Sequence, residues 1–262
     1  MIINKKLIIF ILVFVLIIGF WFGKDLIKES DQPLSSPEPR ENQLLKVKSI
    51  EIKETNDKYE IQVNYPEFFN SVFFEAEKIA NTFLKDQLSD NVERFKNDFA
   101  ENNINIPEMK STMETDYEEI MLTDKLASIR FDNYQYVAGA AHPNSFYSVF
   151  NYNFEKNKQI ELVDFFNLGS DFLPIISNIA FQDIRRQLEE VDSFAEKTLR
   201  QGLESNINNF SNFNFDKEKI IFVFDAYQLG AYAIGPRFVS IFYNQLKEFN
   251  NKSELLELIE QY

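Results

Sequence analysis

The stretch KSTMETDYEEIMLTDKLASIRFDNYQYVAGAAHPNSFYSVFNYNF, Lys110–Phe154, decides the fold class. Three runs within it, roughly 110–120, 126–137 and 145–154, alternate in polarity or are rich in β-branched and aromatic residues. That is the pattern of strands whose side chains point alternately to two faces. No helical period separates them. Grouped strands argue for α+β with a largely antiparallel sheet, over a parallel fold in which strands and helices alternate.

Upstream, Leu45 to Lys53 reads as a strand and Asn56-Asp57 as a turn. Tyr59, Ile61, Val63 and Tyr65 alternate with polar residues as in a half-buried strand, which Pro66 closes. Asn70 is positioned to cap a helix over 71–99, because Val72, Ala76, Ile79, Ala80, Phe83, Leu84, Leu88, Phe95 and Phe99 recur at helical spacing. A loop over 101–108 leads to the three strands. Downstream, Asn157 marks a turn before Ile160–Phe166. Ser170 can cap a helix that turns Phe172, Ile176, Ile179, Ala180, Ile184 and Leu188 inward. Ser193-Phe-Ala-Glu196 has the form of a capping box for a helix to about 208. Ile220–Phe224 is an apolar strand expected at a sheet centre, Arg237–Phe242 is another strand, and Ser253 can cap a last short helix.

The 262 residues are 45% hydrophobic and include 28 Phe, enough aromatic area to build a core. There is no cysteine, which excludes disulfides, thiolate metal sites and cysteine nucleophiles. The net charge is −14. Lys5 and Lys6 precede an apolar run, so the chain beyond that run carries 25 cations against 41 anions, a net of −16. Such a surface repels phosphates, so no nucleic-acid partner is expected, and it speeds encounter with a cationic protein.

The apolar run is Leu7–Gly23, seventeen uncharged residues, the short end of a membrane span. Lys5 and Lys6 precede it and Trp21 sits near its outer end. A cleaved signal peptide would need small residues at a cleavage site. The run ends instead in Gly-Phe-Trp-Phe-Gly, which favours an uncleaved signal-anchor; a buried core helix would be amphipathic. The expectation is a cytoplasmic stub of residues 1–6, a membrane helix at 7–23, a linker over 24–43 kept extended by Pro33, Pro37 and Pro39, and a remainder outside the cytoplasm.

Chemistry has few places to reside. His142, in Gly139-Ala-Ala-His-Pro143, is the one histidine. One histidine and no cysteine leave no zinc site. No Gly-x-Ser-x-Gly or Ser-x-x-Lys motif, phosphate-binding glycine loop or EF-hand loop occurs. Glu114, Asp116 and Glu118 share a strand face and read as a solvated face before a cation site. No catalytic residue, metal or cofactor is therefore assigned, and the chain reads as a non-enzyme.

His142 itself reads as part of a tight link between strands, since glycine tolerates positive φ and proline fixes φ. The competing reading is a general base in a wall hydrolase working with carboxylates, with Asp225 or a tyrosine as orienting partner. The stretch Phe224-Asp-Ala-Tyr-Gln-Leu-Gly-Ala-Tyr-Ala-Ile-Gly-Pro236 leaves a strand for a loop with two tyrosines and two glycines. It suits recognition by amphipathic rings and equally a connection that plugs the core. The candidate binding residues are Tyr134, Tyr136, Gly139, His142, Pro143, Asp225, Tyr227, Gly230, Tyr232 and Gly235.

Three segments in this order resemble the RsiV-type extracytoplasmic domain family, also found ahead of the catalytic domain in PdaC-type peptidoglycan deacetylases. They are Val63-Asn-Tyr-Pro66 leading into a long helix; Tyr134-Gln-Tyr136 with Gly139–Pro143, then Asn151–Phe154 and Ile160–Phe166; and Phe222–Gly235. Ala140 departs from the Gly-Gly-Ala-His-Pro form of the second segment. The resemblance covers about 45–248. It implies a two-part α+β domain outside the membrane, here 44–155 and 156–262, that contacts a lysozyme-like hydrolase or peptidoglycan. Six residues ahead of the anchor leave no cytoplasmic sigma-binding domain, so anti-sigma signalling is not expected. No deacetylase domain is expected after the module, and its histidine-based metal site cannot be built with one histidine.

Overall fold

A computed structural model describes residues 44–97, 109–189 and 196–262. The expected membrane helix, stub and linker fall outside these residues, as do Phe99, the 101–108 loop and Ser193. Among the described residues, no helix is long and apolar enough to cross a membrane.

A six-stranded sheet runs in order β1 (Lys46–Thr55), β2 (Tyr59–Phe69), β3 (Ser111–Leu122), β4 (Leu126–Tyr136), β5 (Asn144–Asn153) and β6 (Lys158–Gln159). The three runs of the 110–154 stretch are its centre. Every pairing is antiparallel except β2 with β3, where Tyr59 stands opposite Ser111 and Val63 opposite Thr115 in parallel. The sheet is thus largely antiparallel, as expected, with one parallel pair inside it. The helix α1 (Phe74–Phe95) lies between β2 and β3 and carries the chain back along the sheet, which a parallel pair requires.

α1 covers one sheet face. Ala76, Ala80, Leu84, Leu88, Val92 and Phe95 are buried against Ile61, Val63, Met113, Ile129, Phe131 and Phe150. Each large buried side chain contributes about 1.5–3 kcal/mol relative to exposure. The helical spacing is therefore correct, but the inward set is not. Val72, Ile79 and Phe83 are exposed. Nor does Asn70 cap the helix. It takes a left-handed φ of 71°, and Phe73 occupies the cap position without a side-chain bond.

The second half builds a three-stranded antiparallel sheet, β7 (Phe213–Phe215), β8 (Lys219–Phe224) and β9 (Arg237–Phe242), with β8 central as its continuous apolar character predicts. The helices α2 (Leu173–Gln187), α3 (Glu196–Gly202), α4 (Ala226–Leu229), α5 (Lys247–Asn250) and α6 (Glu254–Ile259) accompany it. In α2, Ile176, Ala180 and Ile184 point inward as expected, but Pro174 opens the helix and Phe172, not Ser170, stands at its cap. α3 stops at Gly202, and a separate 3₁₀ turn covers Ile207–Phe210. Ser253 caps α6, accepting the Leu256 N–H at 3.3 Å.

Polar groups join the sheets. Ser128 on β4 donates to Asn151 Oδ1 at 2.7 Å and accepts from Asn214 Nδ2 at 3.0 Å and from the Phe215 N–H at 3.1 Å. Asn151 Nδ2 donates to the Phe213 carbonyl at 2.7 Å. Beside them, the Arg130 guanidinium lies 5.0 Å from the Phe238 ring and 5.9 Å from that of Tyr147, and is paired with Glu118. The described residues lie in one compact unit.

Candidate aromatic site between two connections

The β4–β5 connection begins as a four-residue turn, with the Ala140 N–H donating to the Val137 carbonyl at 2.9 Å. Gly139 takes φ 84° at the third position, where a type II turn needs a positive value. The turn is pinned to the start of β3, because the buried Ala138 N–H donates to Ser111 Oγ at 3.1 Å. His142 and Pro143 follow. His142 is exposed, and its Nδ1 lies 2.9 Å from the Pro143 carbonyl.

The β8–β9 connection is held from the opposite side. Gln228 Nε2 donates to the carbonyls of Gly202 at 2.8 Å and Asn209 at 2.9 Å. A Cβ on Gly230 would lie 2.4 Å from Ile234 Cδ1, the end of a side chain that would have to swing aside. Gly235, at φ 68°, returns the chain to β9. Between these glycines a single 3₁₀ turn carries Tyr232.

The two connections meet. The His142 and Tyr232 rings stack at 4.1 Å between centroids and 19° between planes. Tyr227, 61% exposed, stands 6.0 Å from Tyr232. Three aromatic rings from two sheets thus form a shelf whose outer side faces solvent. Gly139, Pro143, Gly230 and Gly235 shape its supports.

Asp225 is a neighbour of another kind. It precedes α4 and accepts the Tyr147 backbone N–H, while Asn212 Nδ2 donates to the Tyr147 carbonyl at 2.9 Å. Tyr147 lies on β5, where the strand has β4 on one side only. Side chains of the second half therefore occupy its free backbone groups. Burial raises the Asp225 carboxyl above its ordinary range, partly offset by the Tyr147 bond, and Oδ1 is buried without a hydrogen-bond partner. Asp225 thus serves the β5 edge and does not orient His142.

Tyr134 and Tyr136 lie at the end of β4 and, among the described residues, join no part of the stack. Tyr134 lines a groove of about 460 Å³ with Gln62, Asn64, Glu114, Asp116 and Asp132. Asp116 stands opposite Asp132 in the ladder, on an exposed face. Among the described residues, no three His, Asp or Glu gather closely enough to hold a metal ion. The roles of Tyr147, Arg130 and Phe238 were not legible in the sequence. They depend on which strands lie at an edge.

Two family models match the chain. Residues 52–145 match "Deacetylase PdaC" and residues 163–244 match "Protein of unknown function (DUF3298)". The chain is 25% identical over 232 residues to the peptidoglycan-N-acetylmuramic acid deacetylase PdaC of Bacillus subtilis, covering 88% of this chain and 47% of that protein. It thus spans about half the length of the curated relative it matches. Two solved DUF3298 structures share the fold. The one from Bacteroides fragilis has a TM-score of 0.62 at 16% identity, covering 83% of this chain and 98% of that one. The one from Pseudomonas aeruginosa has a TM-score of 0.51 at 13% identity, covering 79% and 94%.

The relative corrects one expectation. The chain read as a non-enzyme because it lacks familiar catalytic motifs, yet most of its length matches a protein named as an enzyme, so that reading does not stand. Missing signatures argue only against the classes that carry them. Taken together, the comparisons make the chain similar to PdaC over its first half and to DUF3298 proteins over its second.

Proposed function

We propose that the chain recognises peptidoglycan glycan on the shelf of His142, Tyr227 and Tyr232, held at the cell envelope by residues 7–23 as a membrane anchor. The observation that carries this reading is the convergence of two connections from different sheets on one solvent-facing ring stack. Apolar faces of sugar rings pack on aromatic rings, and hydroxyl and acetamido groups bond to the polar groups around them. The relative's name supports the choice of polymer, since it acts on peptidoglycan N-acetylmuramic acid. Glycan recognition is a step that wall modification needs, whichever residues carry out the chemistry.

A second reading draws on the RsiV-type resemblance and the net charge of −16 beyond the apolar run: a cationic, lysozyme-like hydrolase as partner. Calorimetry of the chain against muropeptides and against lysozyme, at two salt concentrations, separates the two. Heat with muropeptides that Tyr232→Ala abolishes supports the glycan reading. Salt-sensitive heat with lysozyme alone overturns it in favour of the protein partner. Acetate released from N-acetylated muropeptides in the same samples reads turnover directly.

A further inference from the structure

The corner where the chain enters the described fold is apolar and uncovered. Leu44 is 68% exposed, Phe69 40%, Val72 45% and Phe74 62%. The backbone gathers them. Lys46 pairs with Phe69 in the ladder, and Asn70 Nδ2 donates to the Leu44 carbonyl at 2.9 Å. The left-handed Asn70 then turns the chain toward α1. The corner is braced, with the Ser71 N–H bonded to the Glu77 carboxylate at 2.7 Å and the Phe73 N–H to Ser71 Oγ at 3.0 Å. Phe68 is buried and Phe73 packs on the core, so the exposed side chains sit on a fixed support. Single exposed apolar residues are ordinary, but four large ones at one braced corner mark a contact.

The chain itself indicates what lies against this corner. Leu44 follows the apolar run of residues 7–23 by only the linker of residues 24–43. Twenty residues span on average roughly 25 Å as a coil and reach roughly 60 Å when prolines hold them extended. If 7–23 cross a bilayer, the corner is tethered within that reach of the lipid surface. We propose that Leu44, Phe69, Val72 and Phe74 seat the folded part on the bilayer interface as a second, peripheral attachment. This inference rests on the anchor proposed above. The acidic balance of the chain fits lipids of neutral headgroup better than anionic ones.

The chain has no cysteine, so one introduced thiol reports unambiguously. Full-length chain carrying Val72→Cys, labelled with an environment-sensitive fluorophore, is reconstituted in phosphatidylcholine vesicles with a spin-labelled lipid quencher. Ser240→Cys on the exposed side of β9 is the control, and Phe74→Cys is the second probe. The expected result is quenching at 72 and 74 at least about twofold that at 240. Equal quenching at all three sites in chain that floats with the vesicles overturns the corner contact and leaves the anchor intact. Chain that does not float overturns both. A blue shift at 72 without lipid quenching, in a species of doubled mass, assigns the corner to a second copy and overturns the lipid contact.

Discussion

His142 and Tyr232 stack at 4.1 Å although they stand on connections that leave different sheets. Each ring therefore fixes the position of the other's loop. The double-mutant cycle of His142→Ala and Tyr232→Ala should show a coupling of about 0.5–1.5 kcal/mol in unfolding free energy, measured by denaturant titration. Either single substitution should also weaken retention on purified peptidoglycan. A coupling near zero would mean that the rings meet without holding the loops.

Ser128 joins three partners, so its removal strands more than one buried polar group. Ser128→Ala leaves Asn151 Oδ1 without its donor and the Phe215 N–H without its acceptor. Each stranded group costs about 1–3 kcal/mol. Chemical denaturation should show a loss in that range or above, with an unchanged m-value.

Gly202 faces a backbone carbonyl at close range. An added Cβ would lie 1.9 Å from the Gln228 carbonyl oxygen, which no rotamer change relieves. Gly202→Ala should lower stability by about 1–3 kcal/mol or more. Because Gln228 holds the loop that carries Tyr232, glycan retention should fall with it. Thermal melts and peptidoglycan pull-downs read the two effects separately.

Asp225 makes stability depend on acidity. Burial raises its folded-state pKa, so the folded chain holds this proton more tightly than the unfolded chain. The stability it lends is fully present below the unfolded value and is lost as pH rises through the raised folded value. Asp225→Asn keeps an acceptor for the Tyr147 N–H and removes the titration. The difference in denaturation midpoint, variant minus wild type, should grow as pH rises from 4 toward 7. A difference flat across that range would rule out Asp225 as its source.

Polarity alternation and β-branched or aromatic content located β3, β4 and β5 to within two residues, although only β3 alternates buried and exposed positions, while the start of β4 and the end of β5 are buried on both faces. The continuous apolar run at 220–224 marked β8 as a strand covered on both faces, and it lies between β7 and β9. Local pattern failed where distant partners decide. Phe83 and Ile79 match the helical period but fall at the margin of what the sheet covers, and Phe83 instead stacks on Phe150. Asn70 has a capping side chain, yet the tight corner between β2 and α1 claims its tolerance of left-handed backbone. Of the candidate site residues, the two loop segments were legible as unusual connections. Their meeting was not, since nothing local states that β4–β5 and β8–β9 end side by side.

The side chains of Asn212 and Asp225 on the Tyr147 backbone bear on how the chain tolerates being cut. A strand with open N–H and C=O groups is a template for another chain. A fragment ending after β6 would lack both covering residues and leave β5 bare along its first half. Such a fragment should self-associate through that strand. Limited proteolysis between the halves would therefore produce precipitate before it produced two soluble pieces.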